Sequence, residues 1–294
     1  MTHKSGFVNI IGNPNVGKST IMNALVGEKL SIITSKMQTT RHRIKGIVNG
    51  DDFQIVYSDT PGILKPNYRL QETMMKLVDT ALTDADIILY VTDVVENPEK
   101  NKDYIERIRK SGIPVIVLVN KIDLSNQESV INLYNFWSDI FPGAPVFPIS
   151  ATEKFNLNQV FDQILGLLPE GPAFFPKDEL TDRSERFFMQ EIIREKILLH
   201  YQKEIPYSTE VEVEEFRDDD GLTRIRAVIY VERDSQKGII IGKGGTALKR
   251  VGTEARQEAE EFFSRKIFLE LYVKVAKEWR EKDNSLRRFG YFSE

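Results

Sequence analysis

Cysteine is absent from this 294-residue sequence, which excludes disulfide frameworks, thiolate zinc sites and cysteine nucleophiles. Histidine occurs three times, at His3, His42 and His200, too scattered for metal-ligand spacing. No run approaches the roughly 20 apolar residues that cross a bilayer. The first residues pass straight into Phe7-Val8-Asn9-Ile10-Ile11, without the longer apolar core of a signal peptide, so secretion and membrane insertion are not expected. An excess of one charge sign is missing too. The formal net charge is −4, and from Glu170 onward acidic residues slightly outnumber basic ones. Any contact with a polyanion must therefore come from a local cluster and its geometry, not from a strongly positive domain.

The length allows two domains, each able to bury a core. Over residues 1–168, short apolar runs alternate with amphipathic stretches. Strands are expected at Phe7–Ile11, Ile44–Asn49, Phe53–Asp59, Ile87–Val91, Val115–Asn120 and Val146–Ile149. Helices are expected at Ser19–Val26, Arg69–Thr83, Asp103–Lys110, Ser129–Asp139 and Leu157–Leu168. Several strands are apolar on both faces, which predicts an α/β domain with a mostly parallel sheet and helices on both faces. Pro169–Pro176 cannot continue a helix, so residues 169–182 read as a linker. Residues 183–294 then give an α-β-β-α-α-β order: a helix at Arg183–Tyr201, strands at Thr209–Phe216 and Arg224–Glu232 around a turn at Asp219-Asp220-Gly221, two helices flanking Gly242–Gly245, and a strand at Ile267–Val275.

Gly12-Asn13-Pro14-Asn15-Val16-Gly17-Lys18-Ser19 is a complete G-x-x-x-x-G-K-S phosphate loop, lying after an apolar strand and before a helix that opens with Ser19-Thr20. Its backbone N–H groups and the helix N-terminus suit phosphate oxygens. Lys18 would reach the β- and γ-phosphates and the Ser19 hydroxyl would bind Mg²⁺. Asp59-Thr60-Pro61-Gly62 ends a later strand; Asp59 can hold Mg²⁺ through water, and the Gly62 N–H can face the γ-phosphate. Asn120-Lys121-Ile122-Asp123 ends another strand, on the side where open α/β sheets bind ligands. Asp123 can accept from N1–H and the exocyclic amine of guanine. Adenine offers neither donor, so GTP is expected over ATP. After Ser150, the Ala151 N–H would contact the guanine O6. Thr39-Thr40 lies where a switch loop belongs, and the Thr40 hydroxyl would complete the Mg²⁺ shell only while the γ-phosphate is present. Residue 63 is isoleucine where Ras-type GTPases place the glutamine that orients water. Hydrolysis is therefore expected to be slow, with water positioned by backbone, by the switch loop or by a partner.

Asn15 within the loop, Gln38-Thr39-Thr40-Arg41 and Ile63 together resemble the TrmE–Era–EngA–EngB group of translation-factor-class GTPases. The resemblance implies that Asn15 helps bind an activating K⁺ ion, which adds it to Lys18, Thr40, Asp59 and Gly62 as a candidate catalytic group.

The C-terminal part carries Ile239-Ile240-Ile241-Gly242-Lys243-Gly244-Gly245, a G-x-x-G loop between two helices. Glycines there let backbone approach a sugar–phosphate chain, and Lys237, Lys243, Lys249 and Arg250 lie nearby. The element order resembles a type II KH domain, an α+β fold, with Ile241, Gly242, Lys243, Gly244, Gly245 and Lys249 as candidate RNA contacts. A GTPase domain followed by this module, with Val251-Gly252-Thr253-Glu254-Ala255-Arg256 and the strand Leu269–Val275, resembles the Era family over essentially the whole chain. That resemblance implies a monomer that binds 16S rRNA near its 3′ end and assists maturation of the small ribosomal subunit. It also implies cytoplasmic residence with a peripheral fraction on the inner face of the cell membrane.

Other features carry less. Trp137 and Trp279 read as packing residues, and Arg287–Phe292 as a docked tail before a membrane or RNA contact. The near-neutral C-terminal charge leaves open a membrane-associated signalling GTPase whose KH-like domain docks protein or lipid. Ile63 leaves open an RNA-binding scaffold with an inactive GTPase.

Overall fold

The computed structural model describes residues 2–219 and 221–292; Asp220, in the turn expected at Asp219–Gly221, lies outside them. The chain forms two compact units, Met1–Pro66 with Met74–Asp182, and Asn67–Thr73 with Arg183–Glu294.

In the first unit, β1 (Lys4–Gly12) is apolar on both faces, with Val8, Ile10 and Ile11 fully buried, as a central strand covered on each side must be. It pairs in parallel with β3 (Phe53–Asp59) and β4 (Ile87–Asp93). β2 (Ile44–Asn49) runs antiparallel along β3, while β5 (Val115–Asn120) and β6 (Val146–Pro148) extend the other side in parallel. The order is β2-β3-β1-β4-β5-β6. The helices are α1 (Lys18–Val26), the Met74–Thr83 part of α2 (Arg69–Thr83), α3 (Lys102–Lys110), α4 (Gln127–Ile140) and α5 (Leu157–Leu167). Parallel register brings strand ends together: Ile10 opposes Asp59, Gly12 opposes Val91, and Asp93 opposes Asn120. Every nucleotide motif read from the sequence therefore leaves the sheet at one edge of its strands.

The stretch expected as a linker, 169–182, has no helix or strand of its own but is tied to this unit. Ser5 donates its N–H to Pro169 O (3.0 Å) and its hydroxyl to Pro172 O (2.6 Å). Gln54 Oε1 accepts from the N–H groups of Phe174 and Phe175 (2.7 and 3.0 Å). Ile47 N–H reaches Leu180 O (2.8 Å), and Thr181 Oγ1 donates to Lys45 O (2.7 Å). Prolines stop the segment from becoming a strand, yet its carbonyls still accept.

The second unit follows the expected order: α6 (Glu185–His200), β7 (Glu210–Asp219), β8 (Leu222–Val231), α7 (Asp234–Ile241), α8 (Thr246–Phe262) and β9 (Lys266–Val275), and adds a short α9 (Asp283–Arg288). β8 is central, antiparallel to β7 and parallel to β9. Its Ile225, Ala227, Ile229 and Val231 alternate inward onto Ile192, Ile193 and Ile197 of α6 and the small Ala255 and Ala259 of α8. Ser184 caps α6 by accepting from the Phe187 N–H. The tail is docked: Leu286 and Tyr291 are buried, and Arg288 Nη2 binds Glu212 (2.5 Å) and the Tyr230 hydroxyl (2.6 Å). Both tryptophans pack as expected, each fully buried.

The three consecutive isoleucines before the G-x-x-G loop divide their roles. Ile240 is fully buried in the core, Ile241 packs against it, and Ile239 is 50% exposed. Ile240→Ala is expected to cost about 2–5 kcal/mol and Ile239→Ala no more than about 0.5 kcal/mol, measured by urea unfolding of the full chain.

Candidate nucleotide site and nucleic-acid interface

The phosphate loop bridges β1 and α1. Gly17, the residue before the helix, has φ 97°, and a Cβ there would lie 2.2 Å from Asn120 Nδ2. Only glycine combines that backbone with that contact. Asn120 donates from Nδ2 to Val16 O (2.8 Å) and accepts from the Ala151 N–H (3.1 Å) at Oδ1. Lys121, also in the left-handed region (φ 64°), donates to Asn15 O (2.6 Å) and Asp93 (2.5 Å). The base motif and the phosphate loop are thus one hydrogen-bonded body. Asp123 is exposed and accepts from Ser150 Oγ (2.6 Å), leaving carboxylate capacity for two guanine donors. The Ala151 N–H, expected to face the guanine O6, is engaged by Asn120.

Lys18 is buried and donates to Asn13 O (2.8 Å). Burial lowers its pKa to about 8, with Asp59 and Glu96 pulling the other way; a nucleotide phosphate would restore the full charge. Ser19, Thr40 and Asp59 converge as expected for a cation shell. Ser19 Oγ lies 2.6 Å from Asp59 Oδ2 and 3.0 Å from Thr40 Oγ1, and Thr40 Oγ1 lies 3.2 Å from the same carboxylate oxygen. Burial pushes the Asp59 carboxyl up, against Lys18 and the neighbouring hydroxyls. An all-oxygen set of two hydroxyls and one carboxylate fits Mg²⁺ completed by phosphate and water.

Thr60 Oγ1 donates to Ile10 O (2.7 Å), fastening the end of β3 to β1. Pro61 is buried. A Cβ at Gly62 would meet Pro14 N at 2.6 Å, so this segment lies flat on the phosphate loop. A cavity of about 420 Å³ opens over Lys18, Ser19 and Thr20, roofed by residues 32–35 and 38–40. Asn15 has φ 65° and donates from Nδ2 to Ser35 O (3.1 Å).

In the second unit α7 ends at Ile241 and α8 starts at Thr246, with Gly242, Gly244 and Gly245 between them at φ 73°, 61° and 78°. Lys243 and Gly244 are exposed. Beside the loop lies a cavity of about 340 Å³ that Gly245 and Lys249 line as expected. Ile241, Gly242, Lys243 and Gly244 do not line it. Leu248, Gly252, Thr253 and Arg256 of α8 do, facing Leu269 and Leu271 of β9. The spacing 245, 248, 249, 252, 253, 256 is one helical face, and a glycine in the middle of that face was the readable sign. A Cβ on Gly252 would come within 3.2 Å of the Leu271 side chain, so the glycine brings α8 close to β9 at this point. Arg256 is held by Glu260 (2.7 Å).

These two sites define a P-loop GTPase that carries a KH domain. A family model described as 50S ribosome-binding GTPase matches residues 7–121, and one described as KH domain matches residues 204–280. The chain is 48% identical over 292 residues to GTPase Era of Syntrophus aciditrophicus (strain SB), covering 98% of this chain and 95% of that one. It is 44% identical over 290 residues to GTPase Era of Clostridium kluyveri, with 98% and 99% covered. Two solved Era structures are each 39% identical with a TM-score of 0.94, covering 99% of this chain and 100% of theirs: an Aquifex aeolicus Era variant bound to GDP.AlF4−, and Era in complex with MgGDPNP and nucleotides 1506–1542 of 16S ribosomal RNA. The chain belongs to the Era family. It is a GTPase, converting GTP and water to GDP and phosphate.

Asp123→Ala is expected to reduce the preference for GTP over ATP by roughly a hundredfold or more, because guanine then loses the acceptor that adenine never used. Competition binding with the two Mg-nucleotides checks this. Lys18→Ala is expected to abolish phosphate release under the same conditions.

Proposed function

We propose that this protein is a GTP-controlled RNA-binding switch that binds 16S rRNA near its 3′ end and assists maturation of the small ribosomal subunit. The carrying observation is that one chain holds both a complete guanine-nucleotide site and a G-x-x-G groove. A relative with the same fold over its whole length was solved with MgGDPNP and 16S rRNA nucleotides together. In this reading residues 1–168 bind and hydrolyse GTP, 169–182 connect, and 183–294 bind RNA. GTP with Mg²⁺ holds Thr40 and Gly62 in place; hydrolysis releases them and shifts the balance between RNA-binding arrangements.

The nucleotide residues act as follows. Gly12 to Thr20 cradle the phosphates, Ser19, Thr40 and Asp59 hold Mg²⁺, and Asn120, Lys121, Asp123, Ser150 and Ala151 hold the base. Asn15 supports an activating K⁺. RNA runs along the groove from Gly245 to Arg256, with Lys243 and Lys249 on its phosphates. No helix among the described residues is long and apolar enough to cross a membrane. Cytoplasmic residence with a peripheral membrane fraction fits this reading.

The test is binding to isolated small subunits and to their 16S 3′-end RNA, with a non-hydrolysable GTP analogue and with GDP, at fixed salt. Binding favoured by the analogue and lost in Lys243→Asp is expected. Binding absent in both nucleotide states would instead favour a signalling GTPase whose KH-like unit docks protein or lipid. Phosphate release in K⁺ against Na⁺ tests the role of Asn15, with faster turnover expected in K⁺.

A further inference from the structure

The side chain at position 63 cannot orient water. Ile63 is 1% exposed and carries no polar atom beyond its backbone. Its N–H, however, donates to Gly12 O (3.1 Å), and its carbonyl faces the side chain of Asn101 at 3.4 Å. Asn101 lies 38 residues further along the chain, at the N-cap of α3. An asparagine there ordinarily caps its own helix, but this one makes no capping bond and holds φ 59°, a left-handed backbone that costs energy.

The Asn101 amide is directed elsewhere. One of its N–H groups donates to Asn13 Oδ1 at 2.5 Å, and the other points to Ile63 O. Asn13 in turn donates from Nδ2 to Glu96 Oε2 (2.6 Å), whose second oxygen accepts from Thr92 Oγ1 (2.7 Å). Because a carboxylate only accepts, it fixes which end of Asn13 turns toward it, and so presents the Asn13 oxygen to Asn101. The turn carrying Glu96 is held by Asp93, which accepts from the N–H groups of Val95 (2.9 Å) and Glu96 (2.8 Å). The other oxygen of Asp93 binds Lys121 of the base motif. Asn101 thus donates to both sides, to Asn13 on the Glu96 side and to the carbonyl of the residue after Gly62, and the Glu96 carboxylate sets the orientation of the chain.

We propose that Asn101, oriented by Glu96 through Asn13, is a positioning residue for GTP hydrolysis, holding the Ile63 carbonyl so that backbone groups orient the attacking water. The two peptide planes flanking residue 63 are held from opposite sides, one through the Ile63 N–H by Gly12 O and one through the Ile63 carbonyl by Asn101, and because each peptide is planar, the direction of its N–H sets that of its C=O. In the step served, the water oxygen bonds to the γ-phosphorus while the bond to the β,γ-bridging oxygen breaks. GDP leaves with that oxygen, one water proton stays on phosphate, and the other passes to solvent. The proposal needs only GTP hydrolysis and is independent of RNA.

The test is single-turnover hydrolysis of Mg-GTP by the full chain, with GDP affinity measured on the same variants. Asn101→Ala is expected to slow hydrolysis roughly tenfold or more with GDP affinity within about twofold. Glu96→Ala should slow it similarly, Glu96→Gln, which keeps an acceptor for Asn13, should recover most of the rate, and Glu96→Ala with Asn101→Ala should be no slower than either alone. Asn101→Asp, of the same shape but without donors, gives the same loss if the alanine variant folds poorly. Unchanged hydrolysis in Asn101→Ala, or a loss matched by equal weakening of GDP binding, would overturn the relay. Absence of hydrolysis in the wild type would instead remove the GTPase assignment itself.

Discussion

The structure depends on a close approach: three segments far apart in sequence meet at a loop with no room for side chains. Gly17 touches Asn120, and Gly62 lies on Pro14, each nearer than any β-carbon would permit. That contact lets the ends of β1, β3 and β5 act as one surface. It places the Ser19 and Thr40 hydroxyls against Asp59, and it lets Lys121 reach across to Asn15. The parallel register of the sheet supplies the coarse alignment, and the missing β-carbons supply the last ångström. An energy of 1.4 kcal/mol is a factor of ten in binding, so a small displacement here is felt at the phosphate and at the base together.

How much of this was readable depends on how far each function spreads along the chain. The phosphate loop, Asp59–Gly62 and Asn120–Asp123 are short runs in which the backbone and side-chain groups that would meet a nucleotide lie within a few residues of one another, so residue order alone pointed to them. Strand and helix positions in both units follow the apolar period closely for the same reason. The Glu96–Asn13–Asn101 chain was not readable, because its members are up to 88 residues apart and each is an ordinary loop residue by itself. The groove on α8 was half readable. Gly245 belongs to the motif and Lys249 lies close to it in sequence, whereas Thr253 and Arg256 are marked only by the helical face they share. The short α9 was missed because six residues carry too little periodicity to separate a helix from a packed tail.

The second unit shows why weak net charge is compatible with a nucleic-acid surface. Its charges are largely spent internally. Arg194 and Glu191 form an ion pair in which both side chains are almost fully buried (2.5 Å), and Lys196 binds Glu195 (3.0 Å) and Glu258. Buried ions need such partners. Lys243 and Lys249 are exposed beside the groove, a local placement that a sum over the sequence does not show.

The stretch from Pro169 to Thr181 has a consequence beyond joining two units. β2 closes one side of the larger sheet, and an uncovered outermost strand offers its amides and carbonyls to any extended chain that collides with it. Residues 177–181 already occupy part of that row, through Asn49 to Lys177 O, Ile47 to Leu180 O and Thr181 to Lys45 O. The opposite margin, β6, is only three residues long. Residues 177–181, which form no strand of their own, therefore act as a selvedge, and a chain shortened or loosened there would be expected to self-associate before it lost nucleotide binding.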